Sequence, residues 1–390
     1  LNKNKKKLII CKNTKSFLNK FGSIKRNEVD ATIIAITGSS GKTTLKTLIG
    51  NLLNTYEKTY FSPKSYNNHY GVPLSLCNLE KEHKYGVFEI GMSKAGEIDK
   101  LSKFVKPDLA VITNIAEAHI ENFKSIKQIA KAKSEIINNI NKNGILFLNR
   151  DDNFFNFLKK IANKKNIQTL SFGMTNKSDI YPISIKRKNE INILKIKAID
   201  EVIYIKSKNM NHYNILSAVG VLKYLGLELK KINRNISFGQ SISGRGKTHT
   251  VGRYNKKFKF IDESYNANPL SVKNAILNLS NIKKNNFKKY LFLGDMLELG
   301  DKSEFQHKKL SKIINNTDID KIFVYGDEIL NTFKYVRKNK QGNILQHLSD
   351  FDFIFSNIIN KNDYLMIKGS NATGLNKLSR NIIKGKKNVI

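Results

Sequence analysis

Length, composition and charge exclude several classes of protein at once. The chain has 390 residues, which suggests two or three domains. Its 40% hydrophobic and 9% aromatic content argues against disorder over the whole length. The formal net charge of +36 would by itself suggest a nucleic-acid or anionic-membrane partner. The basic residues are scattered in short runs, however, so we interpret most of them as solvated surface and expect no nucleic-acid partner.

Cysteine usage and hydropathy point to the cytosol. Cys11 and Cys77 are the two cysteines and imply neither a disulfide framework nor a cysteine metal site. No apolar run reaches the 18 residues of a membrane span. The apolar stretch after the lysines at 3–7 is too short for a signal peptide. We therefore expect a cytoplasmic protein that does not integrate into a membrane.

The first half alternates between strand and helix patterns. An apolar run at 31–37 leads into a Gly-rich turn and then a helical stretch to Leu53. Further strands are predicted at 85–90, 109–113 and 144–148, with helices at 95–104 and 125–140. This alternation predicts an α/β fold with a mostly parallel sheet. Alternating residues within 167–205 predict antiparallel strands in an accessory sheet, and 211–225 reads as a helix.

A second α/β unit follows a loop at 241–244, which is a plausible domain boundary. Strands are predicted at 257–262, 289–294, 321–325 and 364–368, with helices between them. Ligands of such folds usually bind in loops that follow the strands. The predicted architecture is therefore a central P-loop-type domain joined to a C-terminal Rossmann-like α/β domain.

The run Thr37-Gly-Ser-Ser-Gly-Lys-Thr-Thr44 carries the first chemical signal. Its backbone N–H groups and the following helix N-terminus suit phosphate oxygens. Lys42 is placed to reach the terminal phosphates, and Thr43 to offer a hydroxyl to Mg²⁺. The general P-loop pattern has Gly where this chain has Ile36, so the loop is a shortened variant.

Three further residues follow predicted strands or lie on a helix near them. Glu89 ends a buried strand, where a carboxylate is costly without a cation or a hydrogen-bond partner. His119 follows the next strand, and Lys133 lies on a helix in the segment Ala130-Lys-Ala-Lys133. Each one alone is more often structural or exposed, so their significance rests on the combination.

The second half adds Gly244-Arg245, the turn Asp262-Glu-Ser-Tyr-Asn-Ala-Asn-Pro269 and the run Gly294-Asp-Met-Leu-Glu-Leu-Gly300. Arg245 can clamp a phosphate with two hydrogen bonds, and Asp262 can accept hydrogen bonds from a ribose. The Asn-rich turn is equally typical of a helix cap that binds no ligand.

Together these motifs identify a resemblance that runs from about residue 33 to the C-terminus. The chain resembles the Mur ligases, ATP-dependent amide ligases of peptidoglycan assembly. Its runs at 66–74, 264–269 and 294–300 are similar to those of the family members that add D-alanyl-D-alanine. The resemblance implies ligation of D-alanyl-D-alanine to UDP-N-acetylmuramoyl-tripeptide through an acyl phosphate, by a monomeric enzyme that uses ATP and two Mg²⁺ ions.

The resemblance also implies roles for individual residues. The implied nucleotide-binding residues are Gly38, Ser39, Ser40, Gly41, Lys42, Thr43, Thr44, Asn211, Asn214, Arg245, Asp262, Asn266 and Asn268, with Tyr265 nearby. The implied metal ligands are Thr43, Glu89, His119 and Lys133, the last as a carbamylated lysine. The implied catalytic residues are Lys42, His119, Lys133 and Arg245.

Three features depart from the family pattern. Met210 stands where the family has the His of a His-Asn-x-x-Asn segment, and Asn371 stands where it has Arg. The family also carries a uridine-nucleotide-binding domain before the P-loop domain. We expect residues 1–30 to be a remnant of it with its last helix at 14–21, followed by a central domain at 31–242 and a C-terminal domain at 243–390. We therefore expect a fragment or a missed gene start.

Two alternatives remain open from the sequence. One is a related amide ligase, such as the meso-diaminopimelate- or lysine-adding enzyme or a folylpolyglutamate synthetase. The runs at 264–269 and 294–300 weigh against it. The other is a basic nucleotide- or nucleic-acid-binding protein with a degenerate ATP site, which predicts steeply salt-dependent binding to nucleic acid and no ligation.

Overall fold

The structure is a computed structural model that describes residues 10–188, 191–208, 210–232, 235–236, 243–253, 255–283 and 285–385. Two sheets carry these residues, and helices cover them. The helices are α1 Thr14–Asn27, α2 Lys42–Leu53, α3 Gly71–Cys77, α4 Glu97–Val105, α5 Ile126–Ser134, α6 Phe155–Lys164, α7 His212–Tyr224, α8 Pro269–Ser280, α9 Ser303–Asn315, α10 Leu330–Phe333, α11 Phe351–Asn357 and α12 Leu375–Ile383.

The first sheet has ten described strands in the order β10-β9-β8-β7-β6-β5-β4-β1-β3-β2. Their bounds are β1 Thr32–Thr37, β2 Thr59–Phe61, β3 Tyr85–Glu89, β4 Leu109–Ile112, β5 Ile145–Asn149, β6 Gln168–Phe172, β7 Ile180–Lys188, β8 Ile191–Ala198, β9 Glu201–Lys208 and β10 Asn235–Ile236. The strands from β2 to β7 run parallel, whereas β7, β8 and β9 pair antiparallel. The predicted parallel α/β sheet is confirmed.

Helices cover both faces of this sheet because its strands are apolar on both sides. Ile33 and Ala35 of β1 belong to the apolar cluster on the side of α3–α6. Ile34 and Ile36 belong to the cluster on the side of α2 and α7. A strand that is buried on both faces is typical of a parallel sheet. As a result, the P-loop that follows β1 is carried by a rigid central strand.

The second sheet has six described strands in the order β11-β12-β16-β13-β14-β15. They are β11 Lys247–Arg253, β12 Lys256–Glu263, β13 Lys289–Gly294, β14 Lys321–Tyr325, β15 Gln341–Leu345 and β16 Tyr364–Lys368. All of them run parallel except β11, which pairs antiparallel with β12. Residues of both sheets belong to one contiguous apolar cluster, so the two units pack against each other.

The structure corrects three details of the predicted elements. The antiparallel strands β7–β9 continue the first sheet and do not form a separate accessory sheet. The helix predicted at 125–140 ends at Ser134 and continues as a 3₁₀ turn, Glu135–Asn139. The helix predicted at 14–21 extends to Asn27, and it packs on α3 and α4 of the first unit.

The predicted domain boundaries stay a prediction. Residues 237–242, at the expected junction, and residues 1–9 lie outside the described residues. Within the described ranges, no helix combines the length and the apolar character needed to cross a membrane.

Candidate active site

A cavity of about 1600 Å³ lies between the two sheets and receives loops from both. The loops after β1, β3 and β4 enter it from the first unit, because parallel strands end at the same edge of a sheet. The loops after β12, β13 and β16 enter it from the second. Most of the predicted site residues line this one cavity, as expected for an α/β fold that binds ligands beyond its strand ends.

The P-loop is shaped by two glycines and by the neighbouring loop. Gly38 has φ +144, and a Cβ there would lie 1.9 Å from Thr113 Oγ1. Gly41 has φ +82 and begins α2. Asn114 holds the loop from the side, since its Oδ1 accepts a hydrogen bond from Ser40 N at 3.0 Å. These contacts fix a loop that exposes Ser39, Ser40, Lys42, Thr43 and Thr44 to the cavity.

Lys42 is the cation of the P-loop, and it points back across the loop. Its Nζ donates to Gly38 O at 2.8 Å. Desolvation lowers the pKa of Lys42, and the nearby carboxylate of Glu89 opposes this shift. Gly38 itself lies just behind the cavity wall and contributes a carbonyl rather than a lining surface.

Thr43 and Glu89 have the chemistry of a divalent-cation site. Thr43 Oγ1 lies 3.0 Å from Ser65 Oγ. Glu89 is only 1% exposed; its Oε1 accepts from Asn67 Nδ2 at 2.7 Å, whereas its buried Oε2 has no hydrogen-bond partner. The Thr43 hydroxyl and the unpaired carboxylate oxygen of Glu89 line one cavity, and this pair of groups fits Mg²⁺, which prefers few protein ligands together with phosphate oxygens. Accordingly, the described residues contain no group of three or more His, Cys, Asp or Glu side chains that could hold a metal alone.

Lys133 is buried in the same cavity, and no carboxylate of the described residues forms an ion pair with it. It is 2% exposed and lies on α5. Desolvation, together with the charge of Lys42, lowers the pKa of Lys133 well below its ordinary value. A buried ammonium without a carboxylate is costly, so this environment favours the uncharged amine.

His119 lies at the boundary between the two units. Its φ is +57, in the left-handed region, and its Nδ1 lies 2.6 Å from Oε2 of Glu298, which follows β13. This close contact holds the pKa of the Glu298 carboxyl below its ordinary value.

Arg245 reaches from the second unit to the P-loop side of the cavity. Its guanidinium stacks 4.3 Å over the Tyr265 ring, and Nη2 donates to Ser65 Oγ at 3.2 Å. Its Nε is buried without a hydrogen-bond partner. Ser65 therefore contacts both Thr43 and Arg245, and an unpaired guanidinium N–H beside the P-loop suits an anion.

Asp262 lies behind the loop that carries Arg245. It is 1% exposed and does not line the cavity. Its Oδ2 accepts from Gly244 N at 2.7 Å, and its Oδ1 accepts from Ser264 Oγ at 2.6 Å. In this structure the carboxylate holds the loop that carries Arg245, and the ribose contact stays a prediction.

The predicted asparagines all line the cavity, and two of them are also helix caps. Asn211 caps α7, and Asn214 Oδ1 would lie 3.2 Å from a Cβ at Gly41. Asn268 caps α8 and also donates from Nδ2 to Ser39 O at 3.4 Å. Asn266 is exposed. Asn268 of the Asn-rich turn therefore both caps a helix and lines the cavity.

The two departures from the family pattern, Met210 and Asn371, line the cavity as well. Sequence reasoning gave no role to Ser65, Asn67, Asn114, Glu298 or Lys368. Lys368 is 2% exposed, donates to Asn266 O at 3.0 Å and lies 3.4 Å from Glu263. The quoted runs at 66–74 and 294–300 include Asn67 and Glu298, but only the fold shows which side chain each one touches.

Comparison with known proteins gives two family matches that together cover most of the chain. Residues 36–222 match the Mur ligase middle domain, and residues 247–371 match the Mur ligase, glutamate ligase domain. A curated relative from Buchnera aphidicola subsp. Baizongia pistaciae, named UDP-N-acetylmuramoyl-tripeptide–D-alanyl-D-alanine ligase, is 35% identical over 82% of this chain and 68% of its own length.

Two solved structures share the fold over nearly the whole chain. MurF from Acinetobacter baumannii aligns with a TM-score of 0.83 and 28% identity, covering 96% of this chain and 82% of that one. MurF from Thermotoga maritima in complex with ADP aligns with a TM-score of 0.83 and 25% identity, covering 98% and 86%. The chain belongs to the Mur ligase family, on the branch of its D-alanyl-D-alanine-adding members.

Proposed function

We propose that the protein ligates D-alanyl-D-alanine to UDP-N-acetylmuramoyl-tripeptide, using ATP and Mg²⁺. One observation carries this proposal: a single cavity gathers the P-loop lysine Lys42, the buried carboxylate of Glu89, the buried Lys133 and the cross-domain Arg245. The curated relative's name supplies the identity of the two substrates.

The chemistry begins with a carboxylate that is a poor electrophile. An oxygen of the tripeptide carboxylate attacks the γ-phosphorus of ATP, ADP leaves, and an acyl phosphate forms. Lys42 and Arg245 are positioned to stabilise the charge on the transferred phosphoryl group. The amine of D-alanyl-D-alanine then attacks the acyl carbon, phosphate leaves, and the amine loses a proton to give the amide.

We infer that the Mg²⁺ ions are held by Thr43, Glu89, His119 and a carbamylated Lys133. When bound, they would neutralise phosphate charge. The neutral amine of Lys133 adds to CO₂ and releases a proton, which gives the buried side chain a carboxylate in place of the uncharged amine. We expect Lys133→Ala to abolish ligation, and exhaustive CO₂ removal to lower wild-type activity until bicarbonate is restored. Activity indifferent to bicarbonate contradicts the carbamate.

The decisive experiment measures phosphate release with each substrate omitted in turn. We expect release only when ATP, UDP-N-acetylmuramoyl-tripeptide and D-alanyl-D-alanine are all present, with the pentapeptide product found by mass spectrometry. Lys42→Met is the inactive control. ATP hydrolysis at the same rate with and without D-alanyl-D-alanine would contradict the proposal. A panel with meso-diaminopimelate, lysine and glutamate as amines tests the related ligases.

We further infer that the enzyme acts as a monomer in the bacterial cytoplasm. Support comes from the cavity, both walls of which are supplied by one chain, and from a relative that is a bacterial enzyme. Analytical ultracentrifugation should give the mass of one chain.

A further inference from the structure

The contact between His119 and Glu298 joins the two halves of the cavity. His119 follows β4 of the first unit, and Glu298 follows β13 of the second. His119 Nδ1 and Glu298 Oε2 are 2.6 Å apart, although the buried Nδ1 makes no hydrogen bond of regular geometry. The two side chains are 27% and 46% exposed, so their contact is partly shielded from water.

Both residues adopt backbone conformations that side chains normally avoid. His119 has φ +57 and Glu298 has φ +65. Left-handed conformations of residues other than Gly cost free energy, and they persist where the surrounding structure fixes them. Here the backbones also meet, since Glu121 N donates to Glu298 O at 3.3 Å. The geometry that brings the two side chains together is therefore built into both loops.

Hydrogen bonds to its backbone hold the loop that carries Glu298. His307 is fully buried, and its Nε2 accepts from Met296 N at 3.0 Å. Leu297 N donates to Ser370 Oγ at 2.9 Å. A side chain presented by such a loop is held with little freedom, as a positioning role requires.

The nearby acid Glu117 is already engaged elsewhere. Its carboxylate accepts from Gln306 Nε2 and lies 3.9 Å from Lys302 Nζ. Both partners belong to the second unit, so this contact also bridges the domains without touching His119. It provides a natural comparison for a test of Glu298.

We propose that Glu298 is a positioning residue that orients the His119 ring across the domain boundary. The carboxylate lies against Nδ1, which leaves Nε2 as the ring nitrogen that would bind a cation. The inference rests on the proposed function, which makes His119 a metal ligand. Metal-binding histidines commonly give their second nitrogen to a carboxylate, and loss of that partner costs 10–100-fold in metal affinity. Because the carboxylate comes from the other domain, the cation site is complete only when the domains are closed.

The experiment measures Mn²⁺ binding by electron paramagnetic resonance, with the full chain and the ATP analogue AMPPNP. We expect Glu298→Gln to weaken one of two Mn²⁺ sites about tenfold or more. His119→Ala should weaken the same site, and adding Glu298→Gln to His119→Ala should have no further effect, because the carboxylate acts through the ring. Glu298→Asp should restore part of the affinity.

Lys302→Gln is the matched control, because it breaks a domain contact that does not involve His119. It should leave Mn²⁺ affinity at the wild-type value. Wild-type affinity in Glu298→Gln overturns the proposal, as does an equal loss in the His119→Ala background. The dipeptide-dependent phosphate assay on wild type reports separately on the proposed function, since Mn²⁺ binding requires neither the peptide substrate nor ligation.

Discussion

Arg245 reaches the P-loop side of the cavity, and two contacts hold its guanidinium there. One face stacks on Tyr265, one nitrogen bonds Ser65, and Nε is left buried without a partner. Lysine cannot replace this arrangement, because a point charge neither stacks as a plane nor donates two parallel hydrogen bonds.

We therefore expect Arg245→Lys to lower kcat/KM for ATP about 10–100-fold, the equivalent of losing charge-assisted hydrogen bonds of about 1.5–3 kcal/mol. Steady-state kinetics with saturating peptide and dipeptide measure it. Arg150→Lys is the matched control, because the Arg150 guanidinium also lies 4.3 Å over an aromatic ring, that of Phe155, but does not line the cavity. Equal losses in both variants would count against a phosphate contact.

At this scale the sequence predicts which residues gather but not all of their partners. Thr43 and Glu89 can be placed together because each follows a predicted parallel strand or its loop. Ser65, which contacts Thr43 and Arg245, lies in a loop without such a pattern. The sequence predicts a ribose contact for Asp262 but not its hydrogen bonds from Gly244 N and Ser264 Oγ.

Among the elements, the β1–P-loop–α2 unit is held most tightly. Its first glycine lies against β4, so that even a methyl group would collide with Thr113. The φ of +144 adds backbone strain for any other residue.

We expect Gly38→Ala to lower the free energy of unfolding by about 1–3 kcal/mol, as for other strained backbone positions, and to weaken AMPPNP binding at least tenfold. Urea unfolding and calorimetric titration measure the two effects. Gly252→Ala is the control, because a Cβ there has no atom within 4 Å and its φ is not left-handed. A Gly38→Ala protein with wild-type affinity for the analogue would refute the expected role of this loop.

Most strands were predictable because apolar runs between turn residues are a strong local signal. The sequence does not predict that β7–β9 continue the first sheet, because only the single pair Phe172–Ile180 joins β6 to β7. Such long-range pairing leaves no mark in either strand's own pattern. The helix predicted to run to residue 140 ends at Ser134 and continues as a 3₁₀ turn. The sequence does not separate the two forms, because apolar residues spaced by three or four positions fit either over so short a segment.

At the scale of the whole molecule, some of the excess positive charge faces the cavity. Lys15, Lys100, Lys103 and Lys106 line the cavity where α1 and α4 form its wall. Focused positive potential raises the encounter rate of anionic substrates, and salt screens it.

We expect KM for UDP-N-acetylmuramoyl-tripeptide to rise several-fold between about 0.05 and 0.3 M salt, where the Debye length shortens from about 14 to 6 Å. KM for D-alanyl-D-alanine, a zwitterion without net charge, should change little. Initial rates at fixed ATP and Mg²⁺ give both values. A parallel rise in the two constants would indicate a general salt effect on the enzyme instead of steering.

The position of β16 has a consequence for how the protein is made. This strand is the last one among the described residues, yet it lies in the middle of the second sheet, between β12 and β13. During synthesis, β12 and β13 cannot pair with β16 until this late segment has been made. The first sheet can assemble earlier, because all of its described strands precede residue 237. A polypeptide that terminates before residue 364 lacks the central strand of the unit that presents Arg245. Interrupted translation products are thus expected to carry a folded first unit without a competent partner, so that only finished chains become active.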